Sequence, residues 1–410
     1  MYKACSHSNI TPTRLLTVAA AMLLFFSCAG SPEKSSINLE LEADFSHGEF
    51  IPLLSDALPY PVPTAEMHRS LFERYRDFYR IEPGVRTHYA GWVKTQGYRI
   101  FIQGLLLPRD ETRAEAGTAA GAASRTGTAA GAASRTDTAA SADPALGTDT
   151  AGTVVLLHGY QEHAGTMSPL IKHFADSNLD IVTVDLPGHG ISSGRRVWIE
   201  DFTVYGNILR DVLSALDLPE EEKLILVGHS TGGSTILEFL YQQEDILIND
   251  PEPDLVVLLA PLVRSNLWNL SRIGITLSGP LPIERISGSP EAGTANPFFL
   301  ALAAADPLRV NYTDLDWVRA VIDWDRRNQS YGQLESPALI VQGTSDVVLN
   351  WRYNLIYLGN RLKNYRIRLI EGAEHNLHHE QGENLQLLLD SIDAAIADIP
   401  AATDAAASTD

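Results

Sequence analysis

Cysteine is almost absent: Cys5 and Cys28 are the only two in 410 residues. A disulfide framework or a thiolate metal cluster needs more, and cleavage ahead of Cys28 would leave no pair at all. Positive charge is the second scarcity. Lys and Arg number 31 against 51 Asp and Glu, a formal charge of −20. Such a chain repels phosphate backbones and anionic surfaces, which sets aside nucleic-acid binding through a basic patch. Long apolar runs are missing as well. The one candidate, residues 15–26, is too short to span a bilayer comfortably, and behind Lys3 and Arg14 it has the layout of a secretory signal.

What is present starts with that signal, expected over residues 1–27. It ends in Leu24-Phe25-Phe26-Ser27-Cys28-Ala29-Gly30, which resembles the lipobox of bacterial lipoproteins, although Phe25 stands where that family usually has Leu. The resemblance implies cleavage before Cys28, lipid attachment at Cys28 and an exported protein held at a membrane of the cell envelope; plain secretion is the alternative. Residues 28–40 read as a polar tether and 41–400 as the folded domain. Within it, residues 87–93 and 98–107 read as a hairpin around Gly97. Residues 117–126 read GTAAGAASRT and residues 127–136 repeat them unchanged, so 108–151 is expected to be a low-complexity, disordered insertion. The tail 401–410, rich in Ala, Thr, Ser and Asp, reads the same way.

Beyond the insertion, short apolar runs recur at 153–157, 181–184, 224–227, 255–259, 338–341 and 366–370, with helical stretches between most of them. Such runs suit strands of a parallel sheet buried on both faces. The interval 261–335 is too long for a simple crossover and reads as an inserted helical cap, or lid. Its Leu267, Trp268, Leu270, Ile273, Ile275, Leu277, Leu281, Pro282, Phe298 and Phe299 fit either cap core or an acyl pocket.

The run 224–227 leads into Gly228-His229-Ser230-Thr231-Gly232-Gly233 and then a helical stretch. A G-x-S-x-G at a strand-to-helix turn lifts the serine over the sheet and aims backbone N–H groups at a helix N-terminus, where negative charge is stabilised. That fold requires an acid and a histidine after later strands, in that order. Asp346 follows 338–341 and His375 follows 366–370. Ser230 is therefore the expected nucleophile, His375 the general base, Asp346 the acid that orients it, and the Thr231 N–H an oxyanion donor. His378 and His379 compete with His375 but lack the preceding Gly-Ala turn, and they are expected to begin the last helix. The run from His375 to Glu380 is not H-E-x-x-H, so no metal is expected, and the chemistry calls for no cofactor.

His158-Gly159-Tyr160-Gln161-Glu162-His163, the run Asp185-Leu186-Pro187-Gly188-His189-Gly190 with the Ile191-Ser192-Ser193-Gly194 that follows, and the G-H-S-x-G resemble the monoacylglycerol lipase and lysophospholipase branch of the α/β hydrolases, related to the prolyl-aminopeptidase type. The resemblance implies an α/β-hydrolase fold: a mostly parallel central sheet with helices on both faces and an inserted cap. It also implies a second oxyanion donor at the Tyr160 N–H, structural roles for His189 and its turn, and a serine esterase acting on small or lipid esters. His158, Glu162 and His163 read as turn and supporting residues. Two rivals stay open: an amidase or peptidase using cap carboxylates (Glu284, Glu291, Asp306, Asp314, Asp316, Asp323, Asp325) to hold a substrate amine, and a non-catalytic surface-exposed binding protein on the same scaffold.

Overall fold

A computed structural model describes residues 79, 87–106, 151–216, 218–219, 222–245, 251–278, 284–287 and 293–400. The expected signal, Cys28, the tether, the insertion as far as residue 150 and the tail 401–410 lie outside the described residues. The chain opens with β1 (Thr87–Thr95) and β2 (Tyr98–Leu106), paired antiparallel. Gln96 and Gly97 both have positive φ, 48° and 81°. Two such residues in a row make the hairpin turn whose twist matches its strands.

Six strands then follow the six apolar runs: β3 (Gly152–Leu157), β4 (Asp180–Val184), β5 (Lys223–His229), β6 (Leu255–Leu259), β9 (Ala338–Gly343) and β10 (Tyr365–Ile370). With the hairpin they form an eight-stranded sheet in the order β1-β2-β4-β3-β5-β6-β9-β10, parallel from β4 onward. Alternate residues of each strand serve opposite faces. Val155, Leu157, Leu224, Leu226, Val256, Leu258 and Ile340 join one core, against α2 (Phe202–Leu216), α3 (Thr231–Asp245) and α7 (Trp351–Arg361). Val154, Leu156, Ile225, Val227, Val257, Leu339 and Val341 join the other, against α1 (Ser168–Ala175) and α8 (Gly382–Ala397). An unbroken apolar run is what two covered faces require.

β10 departs from that expectation. It is the edge of the sheet, and of its six residues only Ile370 is buried. Arg366 and Arg368 on the edge strand hinder pairing with another chain.

The segment between β6 and β9 holds α4 (Trp268–Ser278), α5 (Pro297–Ala305), α6 (Leu315–Asn328) and a small sheet of β7 (Arg285–Ser287) with β8 (Tyr312–Asp314). α5 starts where the Asn296 side chain accepts from the N–H groups of Phe298 and Phe299, and α6 where Asp314 accepts from Asp316 N–H. Trp317 and Trp324 of α6 pack into the same core as α2, and Trp324 Nε1 donates to Glu238 Oε2 of α3 at 2.8 Å. Trp268 and Phe299 are buried, as packing residues should be. Leu267, Leu270 and Ile273 instead face solvent, neither core nor enclosed pocket, while Leu281 and Pro282 lie outside the described residues.

Candidate active site

Parallel strands end on one side, so the segments after β5, β9 and β10 all leave the same edge of the sheet. Ser230, Asp346 and His375 sit on those three segments.

Ser230 occupies the turn between β5 and α3 with φ of +48°, a strained region for a residue with a side chain. Its N–H donates to Leu259 O at 2.9 Å and its carbonyl accepts from Leu262 N–H at 3.1 Å, so the turn is bolted to the end of β6. Two glycines make room for it. A Cβ at Gly228 would stand 2.5 Å from the Gly232 carbonyl carbon, and one at Gly232 would stand 2.2 Å from Leu157 O. Gly232→Ala should therefore push α3 away from β3 and lower stability by about 1–3 kcal/mol, as overpacking does. The paired readouts are the thermal midpoint and labelling of Ser230 by a fluorophosphonate. Unchanged values in both would contradict this packing.

His375 Nδ1 lies 2.9 Å from Asp346 Oδ2, with both side chains nearly or wholly buried. Asp346 is held from every side: Oδ1 accepts from the N–H groups of Val348 and Leu349, and Oδ2 also accepts from Gln342 Nε2 at 3.1 Å. Burial alone would raise its pKa, but the facing imidazole and these donors outweigh burial and leave it below the ordinary carboxylate value. Its ionisation therefore contributes stability at neutral pH that is lost as pH falls through that lowered value.

His378 and His379 do not begin the last helix. They lie in a 3-10 turn, Leu377–His379, ahead of α8, because the chain must first carry them into the interior. His379 Nε2 is 2.9 Å from Thr166 O and its ring stacks on Phe299. Burial lowers the His379 pKa to about 4 and that of His378 well below its usual value, so both are neutral. His375 is the one of the three bonded to the carboxylate that follows β9.

The first N–H groups of α3, Thr231 among them, have no partner within the helix. The turn after β3 lies against them, since a Cβ on Gly232 would also come within 2.9 Å of His158 O. His158 Nε2 accepts from Leu186 N–H and its Nδ1 donates to Gly159 O, a neutral arrangement in keeping with a pKa lowered by burial to about 4. The Tyr160 ring packs against the core, stacked on Trp317 at 3.7 Å, with its hydroxyl donating to Val197 O and accepting from Asp314 N–H. The turn that carries the second expected oxyanion donor is thus fastened to the segment between β6 and β9. The Asp185 turn is structural: Oδ1 and Oδ2 accept from Ala164 and Ile191 N–H, and His189 Nδ1 donates to Pro187 O.

Glu162, His229 and His378 bring one potential ligand atom each within 4.8 Å of one another. His229 Nδ1 stands only 2.8 Å from Glu162 Oε2, a hydrogen bond. Two ligands about 2.0–2.1 Å from a tetrahedral ion would stand roughly 3.3 Å apart. These residues fit a hydrogen-bonded pair better than a metal site, and of the 375–380 run they include His378 alone. His229 is the variable letter of its motif and Gln342 lies inside a strand, so neither position carries a local signal in the sequence.

The family described as Hydrolase_4, serine aminopeptidase S33, matches residues 148–382. Over 258 residues the chain is 27% identical to a monoacylglycerol lipase of Mycolicibacterium smegmatis, covering 58% of this chain and 86% of that protein. Over 258 residues it is 26% identical to the monoglyceride lipase of Mus musculus, covering 59% and 80%. Among solved structures, a soluble variant of monoglyceride lipase from Saccharomyces cerevisiae superposes with a TM-score of 0.58 at 15% identity, over 78% of this chain and 97% of that one. The monoacylglycerol lipase of Paleococcus ferrophilus gives 0.52 at 24% identity, over 61% and 96%. These two likenesses speak for the fold, while the family match takes in Ser230, Asp346 and His375 and more than half of the chain. The chain belongs to the serine aminopeptidase S33 family of α/β hydrolases.

Proposed function

We propose that this chain hydrolyses carboxylic esters through an acyl-enzyme on Ser230, and that its substrates are lipid monoesters of the monoacylglycerol or lysophospholipid type. The bond from His375 Nδ1 to Asp346, on the loops beside a strained serine at a helix N-terminus, is the observation that carries the reading. Serine is a weak nucleophile at neutral pH, so His375 takes its proton as Oγ attacks the acyl carbonyl and then delivers that proton to the leaving alcohol. Asp346 keeps the imidazole hydrogen on Nδ1, which leaves Nε2 free to accept. The N–H groups of Thr231 and Tyr160 serve the oxyanion. Water then repeats the cycle on the acyl-enzyme.

The family's description raises the aminopeptidase alternative, for which free carboxylates near the site would have to hold a substrate amine. Five of the carboxylates that could serve are already engaged. Asp306 faces His163, Asp314 and Asp316 face Arg195, Asp323 faces Arg326, and Asp325 is paired in two bonds with Arg264. That supports esters over aminoacyl amides. Monoacylglycerols, lysophospholipids, short esters and aminoacyl amides offered side by side test the reading. Turnover should be greatest on the long-chain monoesters, and faster turnover of aminoacyl amides would reverse it.

The same proposal places the enzyme at a membrane through Cys28. Several acyl chains hold firmly where one gives only marginal binding. Cys28→Ala should release active enzyme to the soluble fraction or block signal processing, with turnover of soluble esters unchanged. An intact mass showing an unmodified N-terminus elsewhere than Cys28 would mean ordinary secretion.

A further inference from the structure

Both nitrogens of the His229 ring face atoms that only accept. Nδ1 is 2.8 Å from Glu162 Oε2, and Nε2 is 3.2 Å from the carbonyl oxygen of His375. A neutral imidazole has a single N–H, so making both bonds requires the imidazolium. Glu162 Oε2 also accepts the Gly159 N–H at 2.9 Å. Gly159 is what admits the pair, since a Cβ there would stand 2.8 Å from both Glu162 Oε2 and His229 Nδ1. Both side chains are almost wholly buried. A buried ion pair adds little net stability compared with apolar packing. Every bond of this one, however, runs to a segment bearing the reaction: the turn of Tyr160, the residue before Ser230, and the backbone of His375.

We propose that Glu162 and His229 are positioning residues, a carboxylate and imidazolium clamp that ties the oxyanion turn and the general-base loop to the nucleophile elbow. The proposal rests on the serine-hydrolase reading above. Burial disfavours charge on both groups, yet each offsets that for the other: the His229 pKa ends above its ordinary value and the Glu162 pKa well below its own. Glutamine has the same shape and cannot do the same work. With its oxygen at the Oε2 position it leaves the imidazolium without a counter-charge. With its nitrogen there, a donor faces the Gly159 N–H.

In Glu162→Gln, kcat on a soluble ester should fall about tenfold to a hundredfold while KM moves less than about twofold, because misplacing the reacting groups costs rate rather than substrate binding. The rate of fluorophosphonate labelling should fall in parallel. Rates within about twofold of the parent, or a loss confined to KM, would overturn the clamp. Should the variant not fold, the parent protein labelled with 15N-histidine decides the matter. His229, identified by its absence from His229→Gln or, if that fails to fold, by through-bond connection to Ser230, should show two protonated ring nitrogens at neutral pH. One unprotonated nitrogen would overturn the proposal. If the parent protein does not label with fluorophosphonate, the hydrolase reading fails instead, and the nitrogen spectrum still judges the ion pair.

Discussion

Ser230→Ala is expected to lower kcat for ester hydrolysis by about 10⁴- to 10⁶-fold while the protein stays folded. The change deletes one oxygen and no backbone bond. The Ser230 N–H to Leu259 O and the Leu262 N–H to Ser230 O remain available to alanine, which meets the same positive φ with a side chain no larger. Little apolar burial is lost, so the thermal midpoint should stay within a few degrees of the parent. Covalent catalysis is lost outright, because no other hydroxyl stands at the exit of β5 on the N-terminus of α3 in that strained geometry. What rate survives should come from the oxyanion donors and substrate binding alone. Steady-state turnover on a soluble ester, measured with the melting curve of the same sample, makes the comparison. Activity near that of the parent would sink the assignment of the whole site.

Asp346→Asn should come next, with kcat down by about 10⁴-fold, and the reason is which atoms can accept. Both oxygens of Asp346 are surrounded by donors: Val348 and Leu349 N–H on one, Gln342 Nε2 and His375 Nδ1 on the other. An asparagine must turn its NH2 toward one of these pairs. Toward His375 it would donate to Nδ1, drive the ring hydrogen onto Nε2 and remove the lone pair that takes the proton from Ser230. Toward Val348 and Leu349 it would set donor against two backbone donors and strain the loop. Either orientation disables the base, whereas the change in volume is negligible. His375→Ala should be as severe, since members of a triad fail as a unit and their losses do not add. Labelling by a fluorophosphonate per folded molecule separates catalytic loss from unfolding. Full labelling in Asp346→Asn, or catalytic collapse in His378→Ala with His375→Ala active, would mean the wrong residues have been given these roles.

The strands and the turn of the nucleophile were legible in the sequence because their causes are local. A buried parallel strand needs an unbroken apolar run, a tight hairpin needs two residues tolerant of positive φ, and the elbow needs glycines on either side of Ser230. The order of Ser230, Asp346 and His375 could be read as well, since each follows a recognisable run and parallel strands end on one side. Which face or edge a run occupies is another matter. The run 366–370 looks like its neighbours, but sheet order makes β10 an edge with one buried residue, and nothing in its own sequence says where in the sheet it falls. The carboxylates between β6 and β9 looked available for an amine until the folded chain brought Arg195 and Arg264 against them. His229 shows the limit most plainly. Its charge is decided by Glu162, 67 residues away, and by a carbonyl 146 residues away. By itself the sequence determined the fold class and the candidates Ser230, Asp346 and His375, through short-range propensity and spacing. Only the tertiary structure decided which of its buried polar groups are charged and what they hold in place, because a pKa and a hydrogen bond depend on neighbours that meet through the packing of the sheet.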